Sequence, residues 1–384
     1  MSSVDFLYAL LILLGGYYCA VILSLVVGLR RVKFRKSDRR PTVSVIVAAR
    51  NEEETIGPLL QQLVRQTYPS FEVILVNDRS TDRTAEIAAS FQQSHPNLRR
   101  IDITALSADM PAKKNALAKG IAASSGEILC FTDADCLPPP GWIVELVSAF
   151  DEDVGLAAGY SPYDVSLVRS QPDGTPLLKR LLYWFIDYEE FKGAAWSAGT
   201  IGLHNGWLCT GRSLAYRRSV YDQVGGFEKI KHSVSGDDDL FLQLVRRETS
   251  WKIRYVTDPA SFVPTPPPAT FRAFVRQRTR HFSAGKYFSL SAKTFFFLFH
   301  TANLLLLACA IGTLALGGSS LALWLFGAKV IVDVLLFSFA APIFHQTRFA
   351  PSFLFGEILY IVYNTLIGPL GFLRPFEWKP EPQP

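Results

Sequence analysis

Two carboxylates, Asp133 and Asp135, stand at positions i and i+2 directly after the apolar run Ile128-Leu129-Cys130-Phe131. On an extended segment such residues point to the same side, so together they can hold one divalent cation along with the oxygens of a diphosphate. A lone Asp-x-Asp is more often a solvated turn. Asp78 closes a second apolar run, 73–76, and its carboxylate can accept a hydrogen bond from the imide of a uracil-type base. Thr81 and Asp82, three and four residues on, read as caps of the next helix. A third acidic group, Asp237-Asp238-Asp239, precedes the helical pattern 240–246, where a carboxylate can serve as a general base or cap the helix. In the basic segment 272–286, Gln277, Arg280 and His281 offer an amide, a cation and an imidazole. No second His or Cys lies at ligand spacing from His281, which reads as a structural or acceptor-contact residue.

These groups need a frame that brings them to one edge. The runs 43–47, 72–76 and 128–131 are short and rich in apolar residues, as buried strands are. Between them, 52–66 and 84–91 carry apolar residues at helical spacing. Strand and helix in alternation predict a parallel sheet, whose ligand chemistry gathers at the carboxyl ends of the strands. Arg50, Glu52, Asp78, Asp133 and Asp135 all converge there.

Of the 384 residues, 49% are hydrophobic, and the net charge is +5. Much of that excess is one block, 30–40, so nothing points to a nucleic-acid partner. The five cysteines form no CxxC pair, which predicts reduced thiols with neither a disulfide framework nor a zinc site. Residues 6–29 form a run of 24 without a charge, enough to cross a hydrocarbon core of about 30 Å. The basic block follows this run, which fits an uncleaved anchor better than a signal peptide and keeps the next domain cytoplasmic. Three further spans are expected at 294–316, 320–343 and 353–373. Gly368-Pro369 interrupts the last, so it crosses or lies in the interface. The expected organisation is an anchor and basic flank at 1–40, a cytoplasmic domain at 41–292 and a membrane domain with a short tail at 293–384. Aromatic residues between 177 and 207 are read at the headgroup surface or in the core, and Pro264-Thr265-Pro266-Pro267-Pro268 as a stiff connector.

The order of Ser44-Val45-Ile46-Val47-Ala48-Ala49-Arg50-Asn51-Glu52, Asn77-Asp78-Arg79-Ser80-Thr81-Asp82, Pro111-Ala112-Lys113-Lys114-Asn115 and Asp133-Ala134-Asp135 resembles a membrane-bound family 2 glycosyltransferase. The likeness continues through Thr210-Gly211-Arg212-Ser213, Gly236-Asp237-Asp238-Asp239 and Gln277-Arg278-Thr279-Arg280-His281, and is similar to the branch that glucosylates ceramide, other lipids and carotenoids. It implies an α/β, Rossmann-like GT-A domain flanked by transmembrane helices, and an inverting, metal-dependent hexosyltransferase of the bacterial cytoplasmic membrane. Ala48, Arg50, Glu52 and Asp78 would line the nucleoside pocket, Lys113 would approach the diphosphate, and Asp135 with Asp133 would bind Mg²⁺ or Mn²⁺. The general base would be Asp237 or Asp238, because Gly236 stands where the family has glutamate. Gln277 and Arg280 would serve the diphosphate and acceptor. His281 replaces a family tryptophan, which leaves acceptor stacking at that position open.

The expected reaction moves one sugar from a nucleotide-diphospho-sugar, UDP-glucose-like, to a hydroxyl of a lipid-like acceptor. Two alternatives remain: a processive polysaccharide synthase, and a lipid-binding scaffold with an inactive transferase domain. Few spans, with Asp333 and Glu357 as their intramembrane charges, offer little from which to build a glycan channel. The filled Asp78, Asp135 and Asp237 positions speak against decay.

Overall fold

The computed structural model describes residues 3–164, 176–317 and 319–373. Seven strands form one sheet: β1 (Val43–Ala49), β2 (Phe71–Asp78), β3 (Leu98–Ile103), β4 (Ile128–Phe131), β5 (Val154–Gly159), β6 (Leu214–Arg217) and β7 (Lys252–Val256). Their order is β3-β2-β1-β4-β6-β5-β7. β1 pairs in parallel with both β2 and β4, and all seven of its residues are buried, as a strand covered by helices on both faces requires.

The parallel arrangement ends at β6, which runs antiparallel to β4 and β5. Leu214 opens β6 opposite Phe131, the last residue of β4. The loop that enters β6 therefore lands at the carboxyl edge of the parallel strands, beside Asp133.

The helices are α1 (Ser3–Arg31), α2 (Ile56–Val64), α3 (Thr84–Ser94), α4 (Ala112–Ala123), α5 (Trp142–Val147), α6 (Leu177–Gly202), α7 (Arg218–Val224), α8 (Asp239–Glu248), α9 (Phe271–Ser283), α10 (Leu290–Leu316), α11 (Leu321–Ile343) and α12 (Phe353–Leu373). Helix α2 begins four residues later than its pattern predicts. Asn51 adopts φ 52°, and the amides of Glu52 and Glu53 donate to Thr84 Oγ1 (2.8 Å) and Asp82 Oδ2 (3.0 Å). Those bonds hold 51–53 in a turn against the loop before α3, at the expense of another helical turn.

Among the described residues, four helical stretches are long and apolar enough to cross a membrane: Asp5–Arg31, Leu290–Leu316, Leu321–Ile343 and Thr347–Leu373. α10 lies antiparallel to α1, with Tyr17 Oη donating to the Phe295 carbonyl (3.1 Å) and Leu306 beside Gly15. α11 lies parallel to it, since Gly15 meets Leu325, Tyr18 Oη donates to Asp333 Oδ1 (2.7 Å) and Arg30 covers the Phe339 ring. Helix α1 also grips the sheet domain through α6. A methyl at Gly28 would lie 1.9 Å from the Gly199 carbonyl oxygen, so the two backbones touch.

Lys329 joins Asp333 and Glu357 as a buried charge on the long apolar helices that the reading of the apolar segments overlooked. It pairs with Asp333 one turn on, while Glu357 pairs with Lys192 of α6 (2.6 Å) and accepts from Tyr188 Oη (2.6 Å). Two cations and two carboxylates thus neutralise one another, which makes their burial tolerable.

Most aromatic residues of α6 are core residues, Trp184 being half-buried. Tyr183, Phe185, Tyr188, Phe191 and Trp196 are buried, and Phe191 and Trp196 pack on Phe337, Phe349 and Phe299 from the apolar helices and their connection. The proline-rich stretch is likewise fixed: Thr265 is buried, its amide donates to the Pro162 carbonyl (3.0 Å), and its carbonyl accepts from Asp164 (2.8 Å). All five cysteines are free thiols.

Candidate active site

The pocket at the carboxyl edge of the sheet is lined by Ala48 from β1, Lys113 and Leu117 from α4, Phe131, Thr132 and Asp133 from the end of β4, Gly211, Leu214 and Tyr216 from β6 and its entry loop, and Asp237 before α8. At its centre the Lys113 ammonium lies 2.9 Å from Asp133 Oδ1 and 3.0 Å from Asp237 Oδ2. Burial would lower the lysine's pKa, but Asp133 and then Asp237 outweigh it and hold the ammonium above its usual value. One side chain thus ties the Asp-x-Asp turn to the acidic cluster, Asp133 to Asp237, 104 residues later in the chain, and Arg280 is close enough to oppose it electrostatically.

The three clustered aspartates have different surroundings. Asp238 accepts from the Asp239 amide (2.7 Å) through Oδ1 and from the Gly211 amide (2.9 Å) through Oδ2, so both its oxygens hold backbone. Asp239 Oδ1 accepts from the Cys209 amide (2.6 Å). Burial pushes both carboxyls up, with Asp237 adding to the shift of Asp238 and Asp238 adding to that of Asp239. Burial also acts on Asp237, yet Lys113 and Lys114 overcome it and hold this carboxyl below its usual value.

Asp135 has its pKa raised by burial and then by Asp133 and Glu52, with Arg212 opposing. Crowded, hard carboxylate oxygens are the condition that a divalent cation relieves. Among the described residues no three His, Cys, Asp or Glu side chains stand together as a ready cage. A cation held by Asp133 and Asp135 would draw its remaining oxygens from a diphosphate and water. The donor set fits Mg²⁺ or Mn²⁺ in that shared arrangement.

Asp78 is buried at the end of β2, and its carboxylate accepts two bonds from Arg79, at 2.8 and 3.1 Å. Arg50 is buried one residue past β1. Glu52 accepts from Thr55 Oγ1 (2.7 Å). Asp82 bonds the Thr84 amide (3.0 Å) and so stabilises the start of α3, whereas the Thr81 amide donates to Asn51 Oδ1 (2.8 Å).

On the far side of the pocket, Gln277 Oε1 accepts from Tyr163 Oη (3.1 Å). His281 presents its two ring nitrogens 3.2 Å from Arg278 and Arg280. Its surface opens to the cleft, but desolvation, reinforced by Arg280, Arg278 and Arg212, holds the imidazole well below its usual pKa and therefore neutral. Only one nitrogen of a neutral ring can accept a hydrogen bond.

Four residues at this cleft had no role in the sequence reading. Arg212 pairs with Glu190 and donates to Thr210 Oγ1 (3.1 Å). Lys114 is fully buried and donates to the carbonyls of Ser233 and Ser235, pinning the loop before Asp237. Arg212 and Lys114 both lie inside recognised motifs, and that adjacency is the signal that could have found them. Tyr163 and Glu190 lie in no motif, and only the fold brings them here.

Residues 44–225 match the family described as Glycosyl transferase family 2, and residues 192–363 match Glycosyl transferase family group 2. The chain is 29% identical to the probable glycosyltransferase YdaM of Bacillus subtilis, over 67% of this chain and 58% of that protein. It is 37% identical to the beta-monoglucosyldiacylglycerol synthase of Synechocystis over 29% of this chain and 23% of that one. The chain spans less than two thirds of the length of these curated relatives. Among solved structures, the mannosyltransferase PcManGT of Pyrobaculum calidifontis, in complex with GDP-Man and Mn²⁺, superposes with a TM-score of 0.55 at 20% identity, over 93% of this chain and 99% of that one. That likeness concerns the fold, which is the α/β GT-A type flanked by long apolar helices. The two family matches together run from residue 44 to residue 363, through every strand of the sheet and into the last apolar helix, so the chain carries glycosyl transferase family 2 domains.

Proposed function

We propose that the chain is a membrane enzyme that moves one sugar, with inversion, from a UDP-glucose-like donor to the hydroxyl of a lipid acceptor at the cytoplasmic face. The observation that carries this reading is the Lys113 ammonium held between Asp133 and Asp237. It puts a cation for the donor's diphosphate within one side chain's reach of a carboxylate suited to the acceptor's proton.

In this reading Ala48, Arg50, Glu52 and Asp78 shape the nucleoside pocket, and Asp135 with Asp133 holds the metal. A bound Mg²⁺ or Mn²⁺ would offset charge on the leaving nucleoside diphosphate. Lys113 and Arg280 supply further positive charge on that side. Asp237 takes the proton of the acceptor hydroxyl as the hydroxyl oxygen attacks the anomeric carbon, and a single displacement inverts the configuration. Asp237 is favoured over Asp238 because Asp238 spends both oxygens on backbone amides while Asp237 is held ionised. As the diphosphate draws Lys113 away, Asp237 becomes more basic at the moment it is needed. Gln277 and His281 face the acceptor side.

The apolar helices support a membrane setting, and the name of the Synechocystis relative supports a glycolipid product. The Mn²⁺ and GDP-Man in the mannosyltransferase structure support a metal and make GDP-sugars the first donors to test beside UDP-sugars. The test is nucleotide release by detergent-purified protein over a donor panel, with Mg²⁺ or Mn²⁺ and a membrane lipid extract. Release tied to a lipid heavier by one hexose is expected. A long polymer would favour a processive synthase, and no turnover with any donor would favour a scaffold.

A further inference from the structure

We propose that α12 does not cross the membrane but lies in its cytoplasmic surface, with one face on the catalytic domain and the other in the acyl chains of that leaflet. The inference rests on the membrane reading above and changes its topology. Three helices then cross, and the C-terminus shares the side of the active site.

The two ends of α12 meet the same domain. Just before it, Gln346 Nε2 donates to Tyr160 Oη (3.2 Å), Arg348 pairs with Asp187, and Phe344 packs on Tyr160 with ring centroids 5.0 Å apart. At its far end, a methyl at Gly371 would lie 2.5 Å from Phe282 Cβ, and one at Gly285 would lie 3.1 Å from the Phe372 ring. A 21-residue helix is about 31 Å long, enough to reach the opposite surface if it stood upright. Contact with one domain at both ends excludes that orientation.

The helix beside it fixes the depth. Phe274 meets Tyr363 at 5.8 Å between centroids, and Phe282 meets Gly371, so α9 and α12 run parallel through an eight-residue step on each. α9 carries Arg272, Arg276, Arg278 and Arg280 within 13 residues and cannot enter hydrocarbon. The 363–371 stretch of α12 must share its level, while its N-terminal part reaches in to α11, where Glu357 Oε2 lies 3.8 Å from Lys329 Nζ. Away from α9, Leu354, Ile358, Val362 and Leu366 are exposed at four-residue steps, one apolar stripe of 43% to 63% exposure. Arg272 and Arg276 are exposed on α9 at the depth of headgroups. That combination of an apolar stripe and flanking arginines fits a leaflet surface, and a buried protein partner would have to cover both.

The placement has a consequence for the substrate. The same α9 carries Gln277, Arg280 and His281, so an acceptor lipid resting in the leaflet beside α12 needs no passage through a helix bundle to reach the cleft.

The full-length protein is placed in inside-out and right-side-out membrane vesicles with a protease-cleavable tag at either end. The C-terminal tag should be cut from the side on which the catalytic domain is digested, and the N-terminal tag from the other. In proteoliposomes, a fluorescent amino acid at Leu354 or at Leu366 should be quenched by brominated lipids at one shallow depth. An upright helix would separate the two by about 18 Å. A C-terminal tag opposite the catalytic domain, with that difference in depth, would overturn the in-plane placement and leave a four-span membrane enzyme. Release of the protein by alkaline carbonate would overturn the membrane reading itself.

Discussion

Lys113 Nζ lies 3.0 Å from Asp237 Oδ2, and this contact holds together two acidic groups that would otherwise repel across the pocket. Lys113→Met removes the cation from both. Nucleotide-release assays should show kcat/KM lower by about 10²–10³-fold, in the range for one lost charge-stabilising donor. Lys113→Arg should recover part of it. Wild-type turnover in Lys113→Met would remove the lysine from the reaction.

Asp238 should behave as a structural residue. Asp238→Ala loses the bonds to the Gly211 and Asp239 amides, at about 1–3 kcal/mol for buried groups left unsatisfied. Thermal unfolding in detergent should shift down. An unchanged midpoint would mean that water or another side chain takes over both amides.

The strands that the sequence showed are the parallel, apolar runs that lead to the site. β1, β2 and β4 are largely buried apolar runs, and assigned site residues lie within or just after their ends: Ala48 and Arg50, Asp78, and Asp133. β3 is an edge strand reading Leu-Arg-Arg-Ile-Asp-Ile, with its charges outward, and its pattern is indistinguishable from a polar loop. The reversal at β6 depends on where a long connection through α6 returns, which no local pattern encodes. The strand-end carboxylates were legible because a turn after a buried strand leaves few places for them. Glu190 and Tyr163 were not, because tertiary packing alone turns them into the cleft.

Gly28→Ala should separate α1 from α6. The added methyl would meet the Gly199 carbonyl at 1.9 Å, and overpacking of this kind costs about 1–3 kcal/mol. The unfolding midpoint should fall, while Gly16→Ala, which meets nothing within 4 Å, should leave it unchanged. Equal midpoints would show that the helices can part freely.

Burial lowers the Lys114 ammonium to about 8, against the opposing pull of Asp237 and Asp238. Its folded pKa lies below its unfolded one, so between about pH 8 and 10 the unfolded state binds more protons and stability from this group rises with pH. Activity should move the other way, since loss of this proton weakens the hold on Asp237. Stability and activity profiles of Lys114→Met, measured over that range, should both be flatter than those of the wild type.

The most direct test of Asp237 as the base is single-turnover transfer by Asp237→Asn beside the wild type, with donor binding measured on the same samples. The asparagine is nearly isosteric but cannot take the proton. Retained donor binding, with transfer slower by about 10²–10⁴-fold, is the expected result. Transfer at the wild-type rate would contradict that role and pass it to another carboxylate of the cluster.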